Sequence, residues 1–263
     1  MSDNLDLDLL RAHSTLKNRE FLYTHPEYKP NFWQRLKFRY FLFKYHRGYA
    51  VATITKHKEF FGLDFYVDKN VLIPRPETEL LVENAIDKCR KNPGAVLIDV
   101  GTGSGCIPIS ILKSIAPANT KVYAIDISKS ALRVAKINAI QHGVKINFMH
   151  SDLLKSLPDF DQSHRLIITA NLPYLTREQF NREPSIKKEP KIALIADNTN
   201  GLAIYENLLR QIRQLKNHIT VFLEIDPAQA DKIPELIKKY LPQAEFEIKK
   251  DLSGLDRTVI IKN

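Results

Sequence analysis

Four clusters of residues carry types and spacings suited to chemistry, and each follows a short, mainly β-branched run. The first is Asp99-Val100-Gly101-Thr102-Gly103-Ser104-Gly105, which leads through Cys106 into a helical pattern. Glycines let a backbone pass close to a ligand and adopt positive φ. A turn at the carboxyl end of a strand opens onto the binding crevice of an α/β sheet. The loop lacks the Gly-Lys-Ser/Thr ending of a triphosphate-binding loop, because Gly105 is followed by Cys106. The dinucleotide fingerprint also fails, since it needs Gly or Ala where Cys106 stands. A compact Gly-x-Gly-x-Gly after an acid suits S-adenosylmethionine, which has no pyrophosphate to seat. The expected cofactor contacts are Gly101, Thr102, Gly103, Ser104 and Gly105. Asp126, about 20 residues further on, is placed to accept from the ribose hydroxyls. Asp152 is placed to accept from the adenine amino group, with Leu153 against the ring. Taken singly, either aspartate could equally be a helix N-cap. What points to a cofactor is that acids recur at successive strand ends.

The fourth cluster, Asn171-Leu172-Pro173-Tyr174, follows the run ending at Ala170. An asparagine side-chain oxygen and a backbone carbonyl can each accept one hydrogen of a planar NH₂ group. Holding both hydrogens aligns the nitrogen lone pair with a methyl donor, so Asn171 belongs to the acceptor and cofactor sets alike. Tyr174 can stack on a flat substrate, and Pro173 biases Leu172 toward extended backbone. An amide nitrogen is a poor nucleophile, so positioning must supply much of the rate. No base is needed before attack. The competing reading is a β-turn built by Asn and Pro.

These clusters need elements to hold them. Strands are expected at 95–100, 121–125, 145–150, 166–170, 219–224, 245–250 and 257–261. Helices are expected at 77–91, 106–115, 129–142, 202–216 and 231–240. Such alternation predicts an α/β fold with a parallel sheet covered on both faces. The short 251–256 link allows only an antiparallel hairpin at the end. The expected fold is a seven-stranded, mostly parallel, doubly wound sheet of the class I methyltransferase type, with a small helical N-terminal domain. The domains divide as 1–60 (helical, substrate docking), 61–90 (linker and first helix) and 91–263 (catalytic). Within 1–60, helices are expected over 5–23 and 32–45.

Composition narrows the class further. Hydrophobic residues are 44% of the 263 and no apolar run could span a membrane, so a soluble cytoplasmic protein is expected. With only Cys89 and Cys106, and no CxxC pair, neither a disulfide framework nor a metal site is expected. The net charge of +9 is uneven: eight Lys or Arg residues lie between Lys29 and Phe60, against the single acid Glu59. Aromatics including Phe32, Trp33, Tyr40 and Phe43 are interleaved. This reads either as a transient RNA or ribosome contact or as an amphipathic helix with buried aromatics.

Asn171–Tyr174 resembles the Asn-Pro-Pro-Tyr signature of methyltransferases acting on planar nitrogens. The chain from Arg47 onward resembles one group among them, the peptide chain release factor glutamine methyltransferases. The distinctive match is Ile73-Pro74-Arg75-Pro76-Glu77-Thr78-Glu79. Glu189-Pro190, Gly201-Leu202 with Tyr205, and Leu223-Glu224-Ile225 match too. The resemblance implies methyl transfer from S-adenosylmethionine to a glutamine side-chain amide of a release factor. The acceptor set would be Asn171, Leu172, Pro173 and Tyr174, with Arg75 and Glu77 closing the pocket. Three departures stand out: Leu172 replaces a proline, a glycine is missing near Thr55, and a glycine-rich spot is missing near Ala196-Asp197. Asn-Leu-Pro-Tyr also resembles the motif of ribosomal RNA adenine dimethylases, so adenine-N6 methylation of RNA is the alternative. An RNA-binding module with a relict cofactor fold is a third, disfavoured by the intact loop, acids and Asn171.

Overall fold

A computed structural model describes residues 2–115, 120–196 and 200–263. One seven-stranded sheet organises them, in the order β5-β4-β3-β6-β7-β9-β8. Its strands are β3 (Val96–Val100), β4 (Val122–Asp126), β5 (Asn147–His150), β6 (Leu166–Ala170), β7 (Ile219–Glu224), β8 (Glu245–Lys250) and β9 (Asp256–Lys262). The pairs from β5 to β7 are parallel, and β9 enters antiparallel between β7 and β8. The central strands β3, β6 and β7 are buried at every residue, as continuous apolar runs covered on both faces should be. The edge strand β8 alternates and carries Glu245, Glu247, Lys249 and Lys250, charges that discourage edge-to-edge pairing.

Alternation along each strand divides the core. Val96, Ile98 and Val100 face one cluster, with Tyr205 and Leu208 of α9 (Ala203–Ile212) and Ile237 of α10 (Ile233–Tyr240). Leu97, Ile167 and Phe222 face the other, with Leu81 and Ile86 of α5 (Glu79–Lys91) and Ile109 of α6 (Cys106–Ser114). The fifth long helix, α7 (Lys129–Gln141), lies between β4 and β5 in sequence. All seven expected strands are present, each within two residues of its expected limits.

The N-terminal region departs from expectation. The helix expected over 5–23 is two: α1 (Ser2–Thr15) and α2 (Arg19–Thr24). Ser14 and Thr15 turn their hydroxyls back onto the Arg11 carbonyl, Leu16 takes a left-handed φ of 55°, and Asn18 caps α2. The next helix, α3 (Phe32–His46), buries only Phe41, which packs with Leu10 and with Ile54 of α4 (Val51–Thr55). Its Phe32, Trp33, Tyr40 and Phe43 are exposed, so most of the expected aromatic stripe is not core. A hairpin of β1 (His57–Phe60) and β2 (Leu63–Tyr66) follows, so residue 60 falls at its turn. Asp197 lies outside the described residues.

One side chain of α7 joins this hairpin to the loop that follows β3. Asn138 of α7 is fully buried. Its Oδ1 accepts from Tyr66 N (2.8 Å), and its Nδ2 donates to Tyr66 O (2.9 Å) and Ser104 O (2.8 Å). Asn138→Ala would strand three backbone groups away from water. We expect a loss of about 2–4 kcal/mol in chemical unfolding, with the 101–105 loop loosened in hydrogen exchange.

Candidate active site

The in-register pairs Val100–Ala170 and Ala170–Leu223 bring the ends of β3, β6 and β7 to one level. Beyond that level opens a cleft of about 650 Å³. Gly101, Gly103, Ser104, Asp126, Asp152 and Leu153 line one end, and Arg75, Asn171, Leu172 and Pro173 another. Tyr174 lines an adjoining cavity of about 180 Å³, which shares Arg75, Asn171 and Leu172 with the cleft. Three sequence-predicted residues do not line either space. Thr102 is buried behind the loop, its N–H bonded to Ile125 O at 2.9 Å. Gly105 starts α6 against Ala135. Glu77 is exposed, so of the expected pair only Arg75 lines the cleft.

Asp126 grips the loop from below. Its Oδ2 accepts from Gly103 N at 2.9 Å and its Oδ1 from Ser128 N at 2.8 Å. Burial raises its pKa, while those two N–H groups oppose the rise. Each carboxylate oxygen keeps a second lone pair for a ligand hydroxyl. Asp152 is exposed and paired with Lys155. Leu153 is held at φ 52°, an uncommon conformation for leucine, at the cleft wall. Under the loop, Asp99 is fully buried, accepts from Thr169 Oγ1 at 2.7 Å and is pushed by burial to about 6.

Gly101 takes a φ of 73°, which favours glycine, and a side chain there would also have to displace the end of Leu172. A Cβ there would lie 2.8 Å from Leu172 Cδ2. The loop end carries Asp126 and Asp152, an acidic lining that would repel a pyrophosphate. It suits a ribose, an adenine and a cationic sulfonium, so the residues present fit S-adenosylmethionine.

The acceptor end is built by residues from distant parts of the chain. Asn171 Nδ2 donates to Thr78 Oγ1 at 3.1 Å. Among the described residues, no hydrogen bond reaches its Oδ1. The Tyr205 hydroxyl touches both the Leu172 and the Glu224 carbonyls. Having one hydrogen, it serves one of them at a time. Glu189 accepts from Ile73 N (3.0 Å) and from the Arg75 guanidinium, tying the Pro-Arg-Pro segment to the stretch after α8 (Arg177–Arg182).

Comparisons with known proteins bear on the family and the fold. A family profile described as "Methyltransferase domain" matches residues 97–183. A release factor glutamine methyltransferase of Enterococcus faecalis is 39% identical over 81% of this chain and 75% of its own. One from Rhodopirellula baltica is 34% identical over 97% and 88%. The chain belongs to the release factor glutamine methyltransferase family. Among solved structures, the hMettl16 catalytic domain in complex with a MAT2A 3′UTR hairpin aligns with a TM-score of 0.59 at 17% identity, covering 81% of this chain and 80% of that one. A T. thermophilus 16S rRNA methyltransferase in complex with AdoMet and guanosine aligns at 0.56 and 13%, covering 79% and 49%. These likenesses show the class I methyltransferase fold, as the sheet order does.

Sequence reasoning assigned no role to Thr78, Glu189, Tyr205, Glu224 or Gly201, though all five lie in or beside the motifs of this family. Their one signal in the sequence is that each is itself among the residues that match this family. Gly201 sits so close to Tyr174 that an added Cβ would lie 2.0 Å from the Tyr174 carbonyl oxygen. Gly201→Ala should therefore displace Tyr174. The expected result is a large loss of turnover with cofactor affinity retained, read by steady-state kinetics and calorimetry. Asp126→Ala should do the reverse and weaken S-adenosylmethionine binding by about 1.5–3 kcal/mol; undiminished affinity would remove Asp126 from the site.

Proposed function

We propose that this enzyme transfers a methyl group from S-adenosylmethionine to the side-chain amide nitrogen of a glutamine in a peptide chain release factor. Membership of the family supports the substrate. The Thr78–Asn171 hydrogen bond is the observation that carries the chemistry. It holds the asparagine amide by its nitrogen and leaves its oxygen open as an acceptor. When bound, the cofactor supplies an electrophilic methyl on a sulfonium. The chain's part is to align the amide. Asn171 Oδ1 takes one N–H of the substrate, the Leu172 carbonyl takes the other, and the nitrogen lone pair is thereby aimed along the line of displacement. Pro173 and Tyr174 bound the flat group. Asp126, Asp152 and Leu153 hold the ribose and adenine, with Gly101 and Gly103 allowing close approach. Arg75, locked to Glu189, forms a fixed wall beside the acceptor.

The first 60 residues are read as the docking unit for the release factor. Exposed Phe32, Trp33, Tyr40 and Phe43 stand among Arg35, Lys37, Arg39 and Lys44, a face suited to an acidic partner. A transient ribosome or RNA contact would use the same charges. A substrate of the translation machinery supports a cytoplasmic location; no helix among the described residues is long and apolar enough to cross a membrane.

The test is to incubate the enzyme with labelled S-adenosylmethionine, a release factor and ribosomal RNA, and to ask where the label goes. Label confined to RNA would refute the substrate. Asn171→Ala should lower turnover by about a hundredfold or more, the scale for losing one aligned polar contact in a transition state. Asn171→Asp should also be impaired, because it places a charge beside the acceptor. The Leu172 N–H makes no hydrogen bond among the described residues. Leu172→Pro should therefore keep turnover within about an order of magnitude and lose about 1 kcal/mol of packing against Gly101.

A further inference from the structure

Glu224, at the end of β7, is buried below the acceptor site and lines neither cavity. Its Oε1 accepts from the Tyr174 hydroxyl at 3.4 Å, while its Oε2 is buried without a hydrogen-bond partner. A native fold rarely keeps a bare carboxylate oxygen in its core without a use for it. The Thr78 hydroxyl stands beside this carboxylate and pulls its pKa down, although no hydrogen bond joins the two in the structure. Thr78 is itself buried, and its oxygen already receives the Asn171 Nδ2 hydrogen. Its own hydrogen must therefore go to another acceptor.

We propose that Glu224 is a positioning residue for the acceptor amide. Its ionised carboxylate takes the hydroxyl hydrogens of Thr78 and Tyr174, which fixes Thr78 as the acceptor for Asn171 and keeps the Asn171 oxygen toward the substrate. The inference rests on the glutamine-methylation reading above and adds to it a control by protonation. When Glu224 gains a proton it becomes a donor at one oxygen. The Thr78 hydroxyl is then freed to donate to the Asn171 oxygen, and the asparagine amide turns over. The substrate NH₂ then meets an NH₂, two donors face to face, and alignment is lost.

The groups around Glu224 place this change in an accessible range. Burial raises its pKa to about 7; Thr78, Arg257 of β9 and Tyr174 pull downward, and Glu77 pushes upward. Tyr205 of α9 and Cys106 of α6 also face it, and burial holds both neutral, the thiol at about 12 and the phenol well above its ordinary value. The Asp226 charge also acts on Tyr174, raising its pKa. Because the ionised form is the competent one, kcat should rise with pH through about 7 and fall as the carboxylate protonates.

The experiment measures kcat on a release factor and the Kd for S-adenosylmethionine between pH 6 and 8, for the parent, Glu224→Gln, Thr78→Val and Thr78→Ser. We expect the parent kcat to fall with acidification while Kd stays level, and Glu224→Gln to flatten the profile at a lower plateau. Thr78→Val should lose roughly tenfold in kcat, about one neutral hydrogen bond, and Thr78→Ser should recover most of that loss. Should Glu224→Gln fail to fold, the two Thr78 variants carry the test alone. An active parent whose kcat is flat with pH, or Thr78→Val matching the parent, overturns this inference. A parent inactive on release factor overturns the reading beneath it instead.

Discussion

The level at which three parallel strands stop decides everything at this site. Parallel pairing fixes register through evenly spaced hydrogen bonds, and one residue of slip would turn every side chain to the opposite face. Here Val100, Ala170 and Leu223 are neighbours in register. Gly101 and Asn171 therefore begin their loops level with Glu224, the last residue of β7. A ligand loop, an acceptor amide and a buried acid become adjacent although more than 120 positions separate the first from the last. The apolar runs of these strands provide the force, and the polar residues at their ends provide the chemistry.

Beneath that edge the protein keeps an unusual store of desolvated polar groups. Asp99 and Glu224 are both carboxyls that burial has pushed up, to about 6 and about 7, and both are met by hydroxyls rather than by close ion pairs. Hydroxyls suit this task because they can donate or accept and carry no charge of their own to desolvate. The ion pair that is used, Arg75 with Glu189, sits at the rim, where it joins two segments on either side of the acceptor cavity. Charge is thus spent on clamping the walls, and neutral donors handle the interior.

The sheet was largely legible because its strands are short β-branched runs bounded by clear helical patterns. Leu166–Ala170, Ile219–Glu224 and Glu245–Lys250 match expectation at both ends. The chemistry at strand ends was legible for the same reason: a glycine loop, an acid or an asparagine after such a run can point only toward the crevice. The hairpin 57–66 was missed because four-residue strands carry little pattern, and its turn is made by Phe61-Gly62 rather than by the more usual Asn-Gly. The break at Leu16 escaped because periodicity continues across it, while the capping chemistry of Ser14, Thr15 and Asn18 is local and weak. Exposure of the α3 aromatics was hidden for a simpler reason. Their spacing states which residues share a face, and says nothing of whether another element covers it. The contacts of Thr78 with Asn171 and of Glu224 with Tyr174 were unreadable, since each depends on tertiary register alone.

The place of β9 also shapes how the chain can be made. β9 is produced after α10 and β8, yet it belongs between β7 and β8, well inside the sheet. Until it arrives, β7 presents an apolar edge with its peptide groups unpaired, the kind of edge that recruits other chains. A nascent or truncated chain lacking residues 256–262 therefore displays a sticky surface right beside a nearly complete catalytic cleft.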